Sequence, residues 1–334
     1  MKKKGLLIAI FVAILIVFDY IVPTIDISKR AVVIGIGLDE IDGKMSVSAQ
    51  ILSRKKGEIG FEYYSAEGDD FDSCVSNLSA KVGAKLSLAH TLCMVISDKD
   101  KAVESMDKIA KTGVVSDSCY LFATNTSASK VVESVDKEKT PLVKILRDSA
   151  SMRKRDIGIS VCNIREYICD ISSVGGCVSI PIVELREQEV VSESSLIVQD
   201  GKAKHRLDDI GNMAICMVES RVLDSSLYVP KVDTSYQIHS AKLVVDCPSV
   251  DDIELTLQVK ATRSGKSLDQ DEKQALGECI KEMIVHSVSE SISHNLDFLK
   301  LGQKIRSHHP KQWKNSQDYL QNIRVDVDVK MVVN

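Results

Sequence analysis

Hydrophobic residues along this chain change their period several times, and each change predicts an element. Near the carboxyl end Ile323, Val325, Val327, Val329, Met331 and Val333 alternate with Arg324, Asp326, Asp328, Lys330 and Val332. Period two predicts a strand with one buried and one wet face. Before it, Leu276, Ile280, Ile284, Val288, Ile292 and Leu296 recur at helical spacing, which predicts a long amphipathic helix. Ser267 and Gln270 read as its capping box. A second set of helical turns stops at His308-His309-Pro310, and Trp313, the only tryptophan, follows. Upstream, Ile238–Asp246 and the alternating Asp252–Thr262 predict two more strands.

The first half interleaves both periods. Ala31–Leu38 and Met45–Leu52 predict strands joined at Asp42-Gly43, a common hairpin corner. Phe71, Val75, Leu78, Val82 and Leu86 form a helical stripe; Thr91–Ser97 predicts a strand, and Asp98 a cap for a helix over 99–111. A strand at Cys119–Thr124 and a helix opened by Thr140-Pro141 follow. Asn163 with Glu166 makes a capping box, and Cys177–Leu185 a strand. Leu196–Val198 and Lys202–Arg206 flank Asp200-Gly201 as a hairpin, and Asn212–Val222 is strand-like. Polar stretches at 187–194 and 230–235 suggest boundaries. The resulting expectation is an α+β protein of three mixed α/β domains, 25–187, 188–234 and 235–334, each with a small mainly antiparallel sheet covered by helices.

Residues 1–24 predict something different. Lys2, Lys3 and Lys4 precede an uninterrupted apolar run from Gly5 to Phe18, and Tyr20–Val22 continue it past Asp19. The basic flank directs the remainder across a membrane. Bulky residues follow the run where a cleavage site needs small ones. The first cysteine is Cys74, so no lipid attachment site stands at the boundary. The expectation is a retained single-pass anchor with the body on the extracytoplasmic face.

Composition narrows the chemistry. A net charge of −4 and 4% aromatic residues argue against nucleic-acid binding and stacking platforms. Nine cysteines, mostly inside apolar runs, read as small buried hydrophobes; Cys162, Cys169 and Cys177 lack zinc-ligand spacing. Gly35-Ile36-Gly37 invites a dinucleotide reading, but Glu40 stands where the third glycine belongs. Close approach of a neighbouring strand or loop accounts for this glycine pair. His286 and His294 share a helix face and His308-His309 are adjacent; read as lacking carboxylate or cysteine partners at helical spacing, they predict solvated side chains and no metal. Asp208-Asp209 and Asp251-Asp252 read as turn residues. No serine elbow, Cys–His signature or phosphate loop stands out, so neither catalytic residues nor a cofactor are expected.

The order of these pieces resembles the C subunit of bacterial spore nutrient-germinant receptors. At the front, Arg30-Ala31-Val32-Val33-Ile34-Gly35-Ile36-Gly37-Leu38-Asp39 is similar to the family's opening strand, with its glycine pair and acidic end. Leu88-Ala89-His90 resembles its His-led segment. Asp297, Leu299 and Gly302, then Pro310, Trp313 and the closing strand, follow the family's tail. The chain departs at Lys300, where the family often has glycine, and at Leu301, where it tends to an aromatic. The resemblance implies a non-enzymatic subunit on the inner spore membrane, assembling with a membrane-integrated A subunit and a transporter-like B subunit. The candidate structural or partner-contact residues are Arg30, Gly35, Gly37, Asp39, His90, Asp297, Leu299, Gly302, Pro310 and Trp313. The alternative, from another class, is a membrane-tethered small-ligand-binding protein.

Overall fold

Near-continuous apolar runs build strands buried on both faces, and here they form the middle of a large sheet. The structure, a computed structural model, describes residues 30–55, 58–152, 161–186, 189–220, 222, 225–313 and 319–332. The expected anchor at 1–24 lies outside the described residues. Among them, no helix is long and apolar enough to cross a membrane.

The chain opens with a meander of β1 (Arg30–Ile41), β2 (Lys44–Lys55) and β3 (Glu58–Gly68). Then come α1 (Phe71–Val82), β4 (Lys85–Ser87), β5 (Cys93–Ser97), α2 (Asp100–Thr112), β6 (Tyr120–Thr124), α3 (Ala128–Glu133) and α4 (Leu142–Met152). After β7 (Cys162–Asn163), α5 (Ile164–Ile171) leads to β8 (Cys177–Arg186), β9 (Glu189–Gln199) and β10 (Lys202–Leu207). Among the described residues these make one ten-stranded sheet, ordered β10-β9-β8-β6-β5-β1-β2-β3, with β4 on β1 and β7 on β6. Its centre is parallel (β1 with β5, β5 with β6, β6 with β8) and its flanks are antiparallel. Leu78, Met106 and Tyr167, from α1, α2 and α5, cover one face. Val131 and Val143, from α3 and α4, cover the other.

α6 (Asp209–Val218) then carries the chain to a second sheet of β11 (Ser225–Val229), β12 (Thr234–Asp246), β13 (Asp252–Arg263), β14 (Lys266–Ser267) and β15 (Arg324–Met331). The long helix α7 (Gln270–His294), α8 (Leu301–His308) and α9 (Tyr319–Asn322) lie between β14 and β15. This crossover returns β15 parallel to β13, with Val327 opposite Leu255. Leu276, Ile280 and Ile284 of α7 are fully buried beneath it, each contributing about 1.5–3 kcal/mol. The core of this half also takes in Cys177, Ile197 and Leu207 from β8, β9 and β10, so one apolar cluster joins both sheets.

The mixed α/β architecture agrees with the sequence reading, but several details differ. The first sheet is large and parallel at its centre, because its strands alternate with helices that must cross over. The closing sheet is mainly antiparallel, with β15 added parallel to β13. Residues 188–234 divide between the two sheets, β9 and β10 completing the first and β11 opening the second. Asn212–Val222 falls mostly in helix α6, capped by Asp208, whose carboxylate accepts from Gly211 N at 2.9 Å. Its seven buried residues leave no polar stripe to reveal the helical period. The α7 cap is the pair Asp269 and Glu272, two residues beyond the expected Ser267 and Gln270. Lys99, not Asp98, precedes α2, and it makes no side-chain cap. The Asn163–Glu166 box forms as expected. Seven cysteines are buried, Cys279 is half-buried and Cys169 exposed, all as free thiols.

The β1 glycines are contact points for helices rather than for a strand or loop alone. A Cβ on Gly35 would stand 2.6 Å from Val143 Cγ1 of α4; one on Gly37 would press on Ser48 Oγ and come within 3.1 Å of the Ala128 carbonyl of α3. Gly35→Ala is therefore expected to cost about 1–3 kcal/mol through overpacking. Gly60→Ala, which meets nothing within 4 Å, is expected to stay within about 1 kcal/mol of wild type. Chemical denaturation of the two variants checks the contrast.

Candidate functional site: the buried junction at Asp297

Asp297 is 1% exposed, a position where a carboxylate survives only with its oxygens occupied. Helix α7 ends at His294 and is capped by Asn295, whose φ of 53° turns the chain into the left-handed region. Ser291 Oγ donates to the Leu296 carbonyl at 2.6 Å and fixes that exit. The turn aims the Asp297 carboxylate at the start of α8. Oδ1 accepts from Leu301 N at 2.7 Å and Oδ2 from Gly302 N at 2.8 Å. The Tyr319 hydroxyl of α9 also donates to Oδ2 in a short hydrogen bond. Two amides that a helix start leaves unpaired are thus satisfied. Burial holds the Asp297 carboxyl above its ordinary range, while the bonds from Tyr319, Gly302 and Leu301 and the nearby Lys304 pull it back.

Two glycines make room. A Cβ on Gly302 would lie 2.5 Å from the Tyr319 ring, and one on Gly175 would lie 2.7 Å from Asp297 Cβ. Gly175 also has φ +84°, a conformation that suits glycine. It belongs to the turn between α5 and β8, so the junction presses the carboxyl-terminal helices onto the first sheet. Lys300 completes the tie. Its Nζ lies 2.9 Å from Asp170 of α5 and 2.6 Å from Glu219, just beyond α6. Burial works to lower the Lys300 pKa, but the two carboxylates overcome it and hold the ammonium above its ordinary value. Lys304 donates to the Leu299 carbonyl at 2.8 Å, and burial lowers its pKa.

The structure gathers some sequence-predicted residues here and scatters others. Asp297 and Gly302 meet directly, and Leu299 is buried in the same core. Trp313, half-buried, sets its ring edge-to-face on Tyr319 at 5.2 Å and 67°. Pro310 is exposed past the end of α8. His309, expected to be solvated, donates through Nε2 to the Cys247 carbonyl at 2.6 Å. Arg30 is exposed at the start of β1, and His90 at the tip of the turn before β5. Asp39 forms a second buried carboxylate site under α3. Its oxygens accept from Ala128 N and Ser129 N, each at 2.8 Å, and from Ser127 Oγ at 3.1 Å. Both carboxylates are occupied by backbone amides and hydroxyls, an arrangement that orders helices.

Sequence reasoning missed Asp170, Glu219, Tyr319 and Gly175, which reach the junction from distant parts of the chain. The signal for Lys300 was present. It has φ +58°, the region glycine enters freely, at the position where the resembling family often has glycine. The reading of His294 also needs correction: Glu290 stands four residues before it on α7, at helical spacing.

Replacing Lys300 by methionine would remove the ammonium that ties Asp170 to Glu219 and is expected to cost about 1.5–3 kcal/mol at neutral pH. Because the folded-state pKa of Lys300 is raised, its contribution is full below the ordinary lysine value and fades as pH climbs through the folded one. Urea denaturation from neutral pH to about pH 11 should show the gap between wild type and Lys300→Met narrowing at the alkaline end.

Comparison with known proteins follows the same layout. The spore germination protein N-terminal domain family matches residues 23–185, and the spore germination B3/GerAC-like C-terminal family matches residues 192–334. The two matches meet inside the β8–β9 hairpin. The crystal structure of the GerBC protein is similar with a TM-score of 0.51 at 10% identity, covering 90% of this chain and 97% of that one, a likeness of fold. No curated protein matches. With both family domains present in order over nearly its whole length, the chain belongs to the Ger(x)C family of spore germination proteins.

Proposed function

We propose that the protein is a non-enzymatic, extracytoplasmic subunit of a nutrient-germinant receptor, held on the inner spore membrane by residues 1–24. It supports assembly and signalling with a membrane-integrated A subunit and a transporter-like B subunit. The observation that carries this reading is the match to both domains of a spore germination family over residues 23–185 and 192–334. The chemistry of the buried acids agrees with it, since Asp39 and Asp297 are occupied in holding helices. The division into 25–187, 188–234 and 235–334 belongs to the same reading, with 188–234 as the connector that serves both sheets. The corner from Pro310 to Trp313, which follows α8 and is largely exposed, is the contact we assign to a partner, together with the exposed Arg30 and His90.

A second reading, a tethered small-ligand-binding protein, is favoured by one feature. A cleft of about 780 Å³ opens between α6, β11 and α7, lined by Ile210, Met213, Leu227, Tyr228 and Met283 with His286 at its edge. Apolar clefts of this size accept small ligands.

Purification of the full chain from spore membranes separates the two. The receptor reading expects multi-span partners to co-purify, and Trp313→Ala to reduce that recovery severalfold while the chain stays folded by circular dichroism. Recovery of the chain alone, with a thermal shift on adding amino acids or sugars, would favour the ligand binder.

A further inference from the structure

His205 lies on β10, the edge strand of the first sheet, and faces α7 of the second half. Its Nε2 is 2.7 Å from Glu290 Oε1, and the His294 ring stacks on the His205 ring with centroids 4.2 Å apart. Ligand atoms from all three residues lie within 4.8 Å of one another. A hydrogen bond to His205 accounts for Oε1 alone. The other carboxylate oxygen, Oε2, is buried and has no hydrogen-bond partner among the described residues. A buried polar atom left unpaired calls for a partner. Two imidazoles beside it make an acid–base pair an incomplete explanation.

We infer that His205, Glu290 and His294 form a binding site for a divalent metal ion of the zinc class. Two imidazole nitrogens and one carboxylate are a donor set that zinc takes in sites with an open fourth position. Glu290 and His294, four residues apart, share one face of α7. Bonds of about 2.0–2.1 Å place tetrahedral ligands about 3.3 Å apart, so small side-chain rotations close the site around an ion. The metal takes the place of the proton on His205 Nε2, which leaves to solvent, and draws the orphaned carboxylate into coordination. His294 is exposed, which leaves a side open for water or a partner's group as fourth ligand. Because β10 is a strand of the first sheet and α7 packs in the core of the second half, the bound ion clamps the two halves together. The inference stands independently of the germination reading.

The test uses the full untagged chain, purified in detergent, stripped with a chelator and titrated with zinc chloride and then with cobalt chloride. We expect one zinc ion per chain and a rise in melting temperature on binding. Glu290→Gln, close in shape, and His294→Ala, at an exposed position, should each weaken binding by about 100-fold or more, beyond the loss seen on removing a supporting group. His286→Ala, on the same helix outside the cluster, should bind as wild type does. The cobalt spectrum should lack a thiolate charge-transfer band. Absence of stoichiometric binding, unchanged affinity in folded Glu290→Gln and His294→Ala, or a thiolate band that places the ion on cysteine would each overturn the inference.

Discussion

A single buried carboxylate organises the second half of this protein. Desolvating Asp297 is unfavourable, and simultaneous bonds from two backbone amides and a tyrosine hydroxyl, with the charge of Lys304 nearby, offset it. That requirement fixes the surroundings. Asn295 must turn the chain, Gly302 must lack a side chain under Tyr319, and Gly175 must yield space to Asp297 itself. Once these are met, the end of α7, the start of α8, α9 and the turn before β8 have one mutual arrangement. The apolar contacts of Cys177, Ile197 and Leu207 supply attraction between the halves. The polar junction supplies their register.

Lys300 shows how such a junction accommodates sequence change. A lysine at φ +58° bears backbone strain of about 1 kcal/mol or more. Its ammonium compensates by pairing with carboxylates from two other elements. Glycine at this position would relieve the strain and lose the tie. Asp39 solves the corresponding problem in the first half, where a strand residue caps a helix whose own Ser127 side chain makes no cap hydrogen bond. In both places buried acids serve to orient helices.

Much of this was legible in the sequence wherever local pattern and tertiary context agree. β2, β13 and β15 and the long helix α7 follow from their periods, β1 from its apolar run, and the Asn163–Glu166 cap from its spacing. α6 was not legible, because burial on all sides removes the polar stripe that distinguishes helix from strand. β3 lacks a clean alternation, with Gly60 beside Phe61 and Tyr63 beside Tyr64. At the junction, Asp297 and Gly302 could be singled out from a family pattern. Tyr319, which pairs with Asp297, and Asp170 and Glu219, which pair with Lys300, could not, since pairing across 22 to 130 residues of sequence is a property of the fold. Glu290 was within reach of helical spacing; only the fold brings His205 to it.

The claim on which the account turns is that the Asp297 junction makes the two sheets one cooperative body. Calorimetric unfolding of the full chain and of Asp297→Ala tests it most directly. The account predicts one transition for the wild type, and for the variant a lower, split transition as the second half melts away from the first. Two separate transitions in the wild type, or a variant with unchanged melting temperature and cooperativity, would contradict it.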